Sequence, residues 1–411
     1  MDDNTTAPVA TPFQWRVPDA DIADLKARLA LTRWPDEAPG APWAFGTSVA
    51  WLRSLVEYWR CDFDWRQQEA ALNAWPQFKV PLDGIDLHFL HVRGKGPAPM
   101  PLLLSHGWPG SVLEFMKLIP LLTDPAAHGG DAADAFTVVA PSLPGFGLSF
   151  APGQPRLGCE QMADTFARLM TQVLGYRRFA AQGGDWGAFV TSRLACCHPD
   201  SLFGIHLNLL ALQRDPAPLP DASAAEQQYL QELAFFLADE TGYQAIQGTR
   251  PQTLAFGLTD SPAGLAAWIA EKFRAWSDCD GDPLRVFSCD ELLATSACTG
   301  SPARSVPRSG RITRGRTTRG RFRPAIASPC RPPMRPFRAK FCDRRARWPN
   351  GPTTSVAGPR CRGADILPRW SSPRPWRTTS GNSSGRCALA ADRVGTKIAA
   401  SRDTTRPLRP A

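Results

Sequence analysis

The most constraining feature of this sequence is a five-residue turn, GGDWG at positions 183–187, between an apolar segment and a helix-like one. Residues 178–182 predict a short strand, and the residues from about Ala188 predict a helix. Small residues around one polar side chain are typical of a sharp turn that holds this side chain above a parallel sheet. Asp185, held in this way, can attack a carbon atom and form an alkyl ester that water must hydrolyse. Taken alone, however, the pattern fits a helix-capping Asp better.

The charge of the chain changes abruptly near residue 300. The first 300 residues carry 21 Lys and Arg against 34 Asp and Glu, a net charge of −13, and the rest carries 26 against 4, a net charge of +22. The two regions together give the net charge of +9 over 411 residues. The basic character therefore belongs to the tail alone and says nothing about the partners of the remainder.

The sequence favours a cytoplasmic protein without a metal or cofactor. Its polar, acidic start lacks the basic and apolar regions of a signal peptide, and no run approaches the ~18 apolar residues of a membrane span. The 11 cysteines form no CxxC pair near histidines, so neither a disulfide framework nor a zinc site is indicated. We expect no membrane association.

Strand-like and helix-like segments alternate through the middle of the chain, which predicts an α/β fold with a mostly parallel sheet covered on both faces. The predicted strands are 85–92, 101–105, 136–141, 179–182 and 204–210, and the predicted helices between them are 112–122, 160–174 and 186–198. Helices are also predicted at 19–34, within 47–74, and at 224–246 and 262–276, the last two as a lid. Seven of the 14 tryptophans precede Val80, which favours a helical N-terminal unit pressed against another domain.

The expected division has four parts. These are a helical N-terminal segment at 1–84, an α/β core at 85–212, a helical lid at 213–293 and an Arg/Pro-rich, disordered tail at 294–411, where no regular periodicity is predicted.

Two further glycine-rich motifs accompany the first one in a specific order, HGWPGS at 106–111 and PSLPGFGLS at 141–149. Because the HGWPGS turn follows a strand, its backbone N–H groups can point into the cleft above the sheet. The N–H groups of Trp108 and Trp186 together can form an oxyanion hole. We interpret His106 as a residue that fixes the turn by hydrogen bonding rather than as a catalyst.

With these three motifs the chain resembles the epoxide hydrolases of the microsomal type, enzymes with an α/β-hydrolase fold and an additional N-terminal segment. The resemblance covers Pro12 to about Leu293 and includes the segment PFQWRVPDADIADLKARLALTRWP. It implies that Asp185 attacks a carbon of a small lipophilic epoxide, while the amides of Trp108 and Trp186 form the oxyanion hole. It also implies that Tyr243, in GYQAIQGT, donates a hydrogen bond to the opening epoxide oxygen; periodicity alone would make Tyr243 a core aromatic.

The residues that the family uses to hydrolyse the ester are missing. The family has a histidine base downstream of the lid, whereas the last histidine here is His206, and no tyrosine follows Tyr243 to serve as a second lid tyrosine. Residues 363–378 can be back-translated into codons that, when translated one nucleotide out of frame, give GGHFAALEQPEALAD. This sequence is the family's histidine segment. We therefore hypothesise a one-nucleotide shift between about Ala294 and Cys298. As translated, the chain is expected to be alkylated once without turning over.

Three other readings stay open. A non-catalytic relative of these hydrolases would need neither Asp185 nor Tyr243, and haloalkane dehalogenases share the Asp nucleophile. A nucleic-acid-binding protein could use the tail, for example RITRGRTTRGRFR at 311–323, but out-of-frame GC-rich DNA yields Arg and Pro by itself. The sequence leaves the oligomeric state and the identity of the epoxide open.

Overall fold

A computed structural model describes residues 8–209 and 222–300 of the chain. Residues 301–411 and the start of the predicted lid at 213–221 lie outside the described residues, so the expectations for the tail stay predictions.

A seven-stranded sheet forms the centre of the fold, in the order β1-β2-β3-β5-β4-β6-β7. The strands are β1 (Thr11–Pro12), β2 (Gln77–Leu82), β3 (Ile85–Val92), β4 (Met100–Ser105), β5 (Phe136–Pro141), β6 (Phe179–Gly183) and β7 (Leu202–Leu207). The pairs β4–β5, β4–β6 and β6–β7 are parallel, whereas β1–β2, β2–β3 and β3–β5 are antiparallel. The expected parallel sheet is therefore confirmed only for its second half.

Eleven α-helices lie within the described residues. They are α1 (Asp19–Ala30), α2 (Val49–Cys61), α3 (Trp65–Asn73), α4 (Leu118–Thr123), α5 (Cys159–Arg168), α6 (Trp186–Cys197), α7 (Ala224–Phe235), α8 (Gly242–Thr249), α9 (Pro251–Asp260), α10 (Pro262–Ala275) and α11 (Cys289–Gly300). The helix predicted at 112–122 is instead a 3₁₀ turn, Val112–Phe115, followed by α4. The helix predicted at 160–174 is α5 followed by a π-helical turn, Leu169–Val173.

The central strands are buried on both faces. Along β4, Leu102 and Leu104 pack into one apolar cluster and Leu103 packs into another, as the two-residue period of a strand requires. The first cluster also contains Trp59 and Trp65 of the N-terminal helices, which are 2% and 6% exposed. The predicted packing of the early tryptophans against the core is thus confirmed.

Residues 222–300 contain helices without a strand. The helix predicted at 224–246 is divided at Thr241 into α7, extended by a π-helical turn, and α8. The expectation that irregular chain begins at Ala294 is wrong, because α11 continues to Gly300. Its start is fixed by Ser288 and Glu291, each of which accepts a backbone N–H of the other, and Ala294 is buried.

β7 forms one edge of the described sheet and carries exposed apolar side chains. Phe203 is 53% exposed and Ile205 is 40% exposed, although both belong to a strand paired with β6. Within the described residues, no helix is both long and apolar enough to cross a membrane.

Candidate active site

The GGDWG turn joins β6 to α6 as the sequence predicts. Asp185 has φ +48° and ψ −122°, a backbone conformation that L-residues other than glycine rarely adopt. The turn is tight on both sides. A methyl group added at Gly183 would overlap the carbonyl oxygen of Gly187, and one added at Gly187 would overlap the carbonyl oxygen of Ser105. The strained turn at the end of β6 therefore presents the Asp185 carboxylate above the sheet.

The HGWPGS turn lies directly against this carboxylate. The backbone N–H of Trp108 donates to Asp185 Oδ1 at 2.9 Å, and a methyl group at Gly107 would overlap the Asp185 side chain. Trp186 is the first residue of α6, where a backbone N–H has no acceptor within the helix itself. The amide predicted at Trp108 thus binds one of the two carboxylate oxygens of Asp185.

His106 ties two of the motif turns together. Its side chain is 1% exposed; Nδ1 is 2.9 Å from the carbonyl oxygen of Gly107, and Nε2 accepts the N–H of Leu143 at 3.0 Å. Burial lowers the pKa of His106 to about 4, so the ring is neutral and donates through Nδ1. These contacts agree with the expected structural role.

The PSLPGFGLS loop is fixed by a buried polar network. Ser149 Oγ donates to the carbonyl oxygen of Ser142 at 2.8 Å and accepts the N–H of His88 at 2.9 Å. The ring of His88 in turn lies 2.9 Å from Ser142 Oγ and from Gln77 Oε1. This motif supports the site as framework and presents no nucleophile to it.

Tyr243, at the start of α8, stacks on the indole of Trp108. The two ring centroids are 5.0 Å apart with an interplanar angle of 14°, and the ring of Trp276 is 5.2 Å from that of Tyr243. The Tyr243 hydroxyl accepts a hydrogen bond from Gln244 Nε2 at 2.8 Å. Tyr243 and Asp185 therefore meet at Trp108, which contacts Tyr243 through its ring and Asp185 through its backbone N–H.

Sequence reasoning missed a buried ion pair behind this aromatic group. Lys272 is 8% exposed, and its Nζ lies 3.2 Å from Glu240 Oε2 and within 5.3 Å of the Tyr243 ring centroid. Glu240 Oε2 also accepts the indole N–H of Trp276 at 3.1 Å. A carboxylate and an ammonium group thus hold the aromatic wall of the site together.

Sequence reasoning also missed Glu114, which belongs to the 3₁₀ turn directly after the HGWPGS motif. Burial and the negative charge of Asp185 raise the pKa of Glu114 to about 8. The same two causes raise the pKa of the Cys159 thiol to about 11. In the sequence, the spacing Ser111-x-x-Glu114 is that of a capping box, in which the Glu carboxylate accepts the backbone N–H of the Ser. This pattern gives no sign that the pKa of Glu114 is raised.

The described residues hold no cluster of His, Cys, Asp and Glu that could bind a metal ion. The seven cysteines among them form no disulfide with one another.

Two family models cover most of the described chain. The fold and its strained Asp turn are those of the α/β hydrolases, and the alpha/beta hydrolase fold model matches residues 100–245. A model of the epoxide hydrolase N terminus matches residues 10–115. Epoxide hydrolase 1 of Oryctolagus cuniculus is 37% identical over 307 residues, a match that covers 69% of this chain and 67% of the relative. The chain belongs to the epoxide hydrolase family.

Further relatives agree. A Stigmatella aurantiaca protein assigned to the epoxide hydrolases is 51% identical over 283 residues, covering 69% of this chain. That match spans only 64% of the length of the Stigmatella protein. The crystal structure of juvenile hormone epoxide hydrolase from the silkworm Bombyx mori superposes with a TM-score of 0.60 at 31% identity, covering 74% of this chain and 77% of the silkworm chain.

Proposed function

We propose that this chain opens small lipophilic epoxides by forming an alkyl ester on Asp185. The observation that carries the proposal is the Asp185 carboxylate itself, held at φ +48° with Oδ1 on the N–H of Trp108. In the reaction, Oδ2 of Asp185 attacks a ring carbon and the strained C–O bond breaks. Tyr243 supplies the proton that the departing alkoxide needs, because an alkoxide is a poor leaving group.

The amides of Trp108 and Trp186 form the oxyanion hole in this proposal, and they act in the second half of the reaction. When water adds to the ester carbonyl, the negative charge develops on the oxygen that Trp108 already contacts. The substrate class is supported by the aromatic wall of Trp108, Tyr243 and Trp276, which offers apolar surface and few polar groups. A cytoplasmic location fits the lack of disulfides among the seven described cysteines.

Hydrolysis of the ester is the defective step, because no histidine follows His206. The one-nucleotide shift near residues 294–298 explains this loss and the basic tail together. Sequencing both strands of the gene from codon 285 onward tests the shift. A repeatedly confirmed, intact reading frame would contradict the hypothesis of a one-nucleotide shift.

Intact-mass analysis after incubation with styrene oxide tests the first step. The full chain should gain the mass of one epoxide, and peptide mapping should place it on Asp185. Asp185→Asn should gain none, and Tyr243→Phe should react at least about 10-fold more slowly. A non-catalytic relative would gain no mass, and a label on a cysteine or on Glu114 would also contradict the proposal.

A further inference from the structure

Glu114 and Asp185 lie on either side of one glycine-rich turn. Glu114 belongs to the 3₁₀ turn that follows HGWPGS, and its side chain folds back onto Gly110, where an added methyl group would overlap Oε2. At the other end of the same turn, Gly107 contacts the Asp185 side chain. A methyl group at Gly110 would also lie 3.4 Å from the carbonyl oxygen of Gly107, so both carboxyl groups pack against the short segment from Gly107 to Gly110. The negative charge of Asp185 is one of the causes that raise the pKa of Glu114.

The Glu114 carboxyl has neither a hydrogen-bond partner nor a cation beside it among residues 8–209 and 222–300. The neighbouring Lys117 is paired with Glu291 of α11. His106, at the start of the turn, is neutral and bonded to backbone groups. A partly buried carboxyl without such partners is available to a water molecule.

The proton affinity of Glu114 is coupled to the state of Asp185. Its pKa of about 8 has two causes, burial and the negative charge on Asp185. In the free protein at neutral pH, Glu114 is therefore protonated and leaves the charge on the nucleophile. Formation of the ester neutralises Asp185 and removes the second cause, so the pKa of Glu114 falls and its carboxylate becomes available when a base is needed.

We propose that Glu114 is the general base for a slow hydrolysis of the ester on Asp185 in this chain, where the family's histidine is missing. The inference rests on the proposed function and makes its second step slow rather than absent. The Glu114 carboxylate takes a proton from water while the water oxygen bonds to Asp185 Cγ. The tetrahedral oxyanion, held by the Trp108 N–H, then collapses and breaks the bond to the alkyl oxygen. That oxygen takes the proton back from Glu114, and the diol leaves. Asp185 loses its new acid proton to solvent, and the Tyr243 phenolate left by ring opening regains a proton from solvent.

Decay of the isolated ester tests this step. The full-length chain is alkylated with styrene oxide, freed of excess epoxide, and followed by intact mass between pH 6 and pH 9. The ester should decay faster as the pH rises, with a midpoint below about 8, and in Glu114→Gln it should decay about 100-fold more slowly, independently of pH. In ¹⁸O-labelled water, one labelled oxygen should enter Asp185 and none should enter the diol.

Two further variants separate a chemical role of Glu114 from a structural one. Gly110→Ala keeps the carboxyl but displaces it, so ester decay should slow as in Glu114→Gln. Glu160→Gln removes an exposed carboxyl of α5 and should decay like the unmodified chain. Ester formation in each variant shows that it has folded.

Equal decay in Glu114→Gln and the unmodified chain would overturn the inference, as would label in the diol or an ester that persists at every pH. If the unmodified chain forms no ester at all, the proposed function fails with it.

Discussion

Replacing Glu114 by Gln tests, without any substrate, whether the carboxyl beside Asp185 carries a proton at neutral pH. In the unfolded chain this group ionises near its ordinary pKa of 4.5, and in the folded chain near 8. Between these values the folded state binds one proton more than the unfolded state. The free energy of unfolding therefore falls by up to about 1.4 kcal/mol for each pH unit, and this loss stops above pH 8.

The limit of that loss is about 5 kcal/mol, and solvent screening at a partly buried carboxyl lowers the expected total to about 2–3 kcal/mol. Gln has no proton to lose, so Glu114→Gln should gain stability relative to the unmodified chain from pH 5 to pH 8. Urea denaturation at intervals of one pH unit measures the difference, with Glu160→Gln as the control for removing one carboxylate. Parallel curves for Glu114→Gln and the unmodified chain would refute a protonated Glu114.

Two other substitutions probe the site from different sides. Gly107→Ala places a methyl group against the side chain of Asp185, so the rate of ester formation should fall at least about 100-fold. The circular dichroism spectrum should stay unchanged, and an unchanged rate would contradict the geometry of the turn. Lys272→Met leaves the carboxylate of Glu240 without its cation, which should lower the free energy of unfolding by about 3 kcal/mol. Denaturant titration measures this loss. The same substitution should slow ester formation, because it displaces Tyr243. An unchanged denaturation midpoint would show that the buried pair adds nothing.

Much of the fold was predictable because its signals are local. The strand at 136–141 and the start of α6 follow from apolar runs and a glycine-rich turn. β2 was missed, although Asp83-Gly84, both at positive φ, forms the two-residue turn of a hairpin between β2 and β3. Pro81 lies inside β2 and obscured its pattern, and β2 pairs with β1 as well as with β3.

The site was predictable where single motifs bring residues together, and less so where distant segments meet. Asp185 and Trp186 share one turn, whereas the burial of Glu114 and Lys272 arises only after packing. The sequence predicts a helix at 262–276, but nothing in it places the ammonium group of Lys272 over the ring of Tyr243. Electrostatic properties of this kind depend on three-dimensional distances and burial, which a single sequence does not contain.

The exposed strand β7 has a consequence for handling the protein in solution. Within residues 8–209 and 222–300, no further strand pairs with its outer edge, which carries backbone N–H and C=O groups beside Phe203 and Ile205. Such an edge can pair with the same strand of a second molecule. Loss of soluble protein by this association should then be a bimolecular process, with an initial rate that rises with the square of the protein concentration. Dilution would therefore preserve the chain better than cooling, since apolar association weakens only modestly over the usual cold-room range.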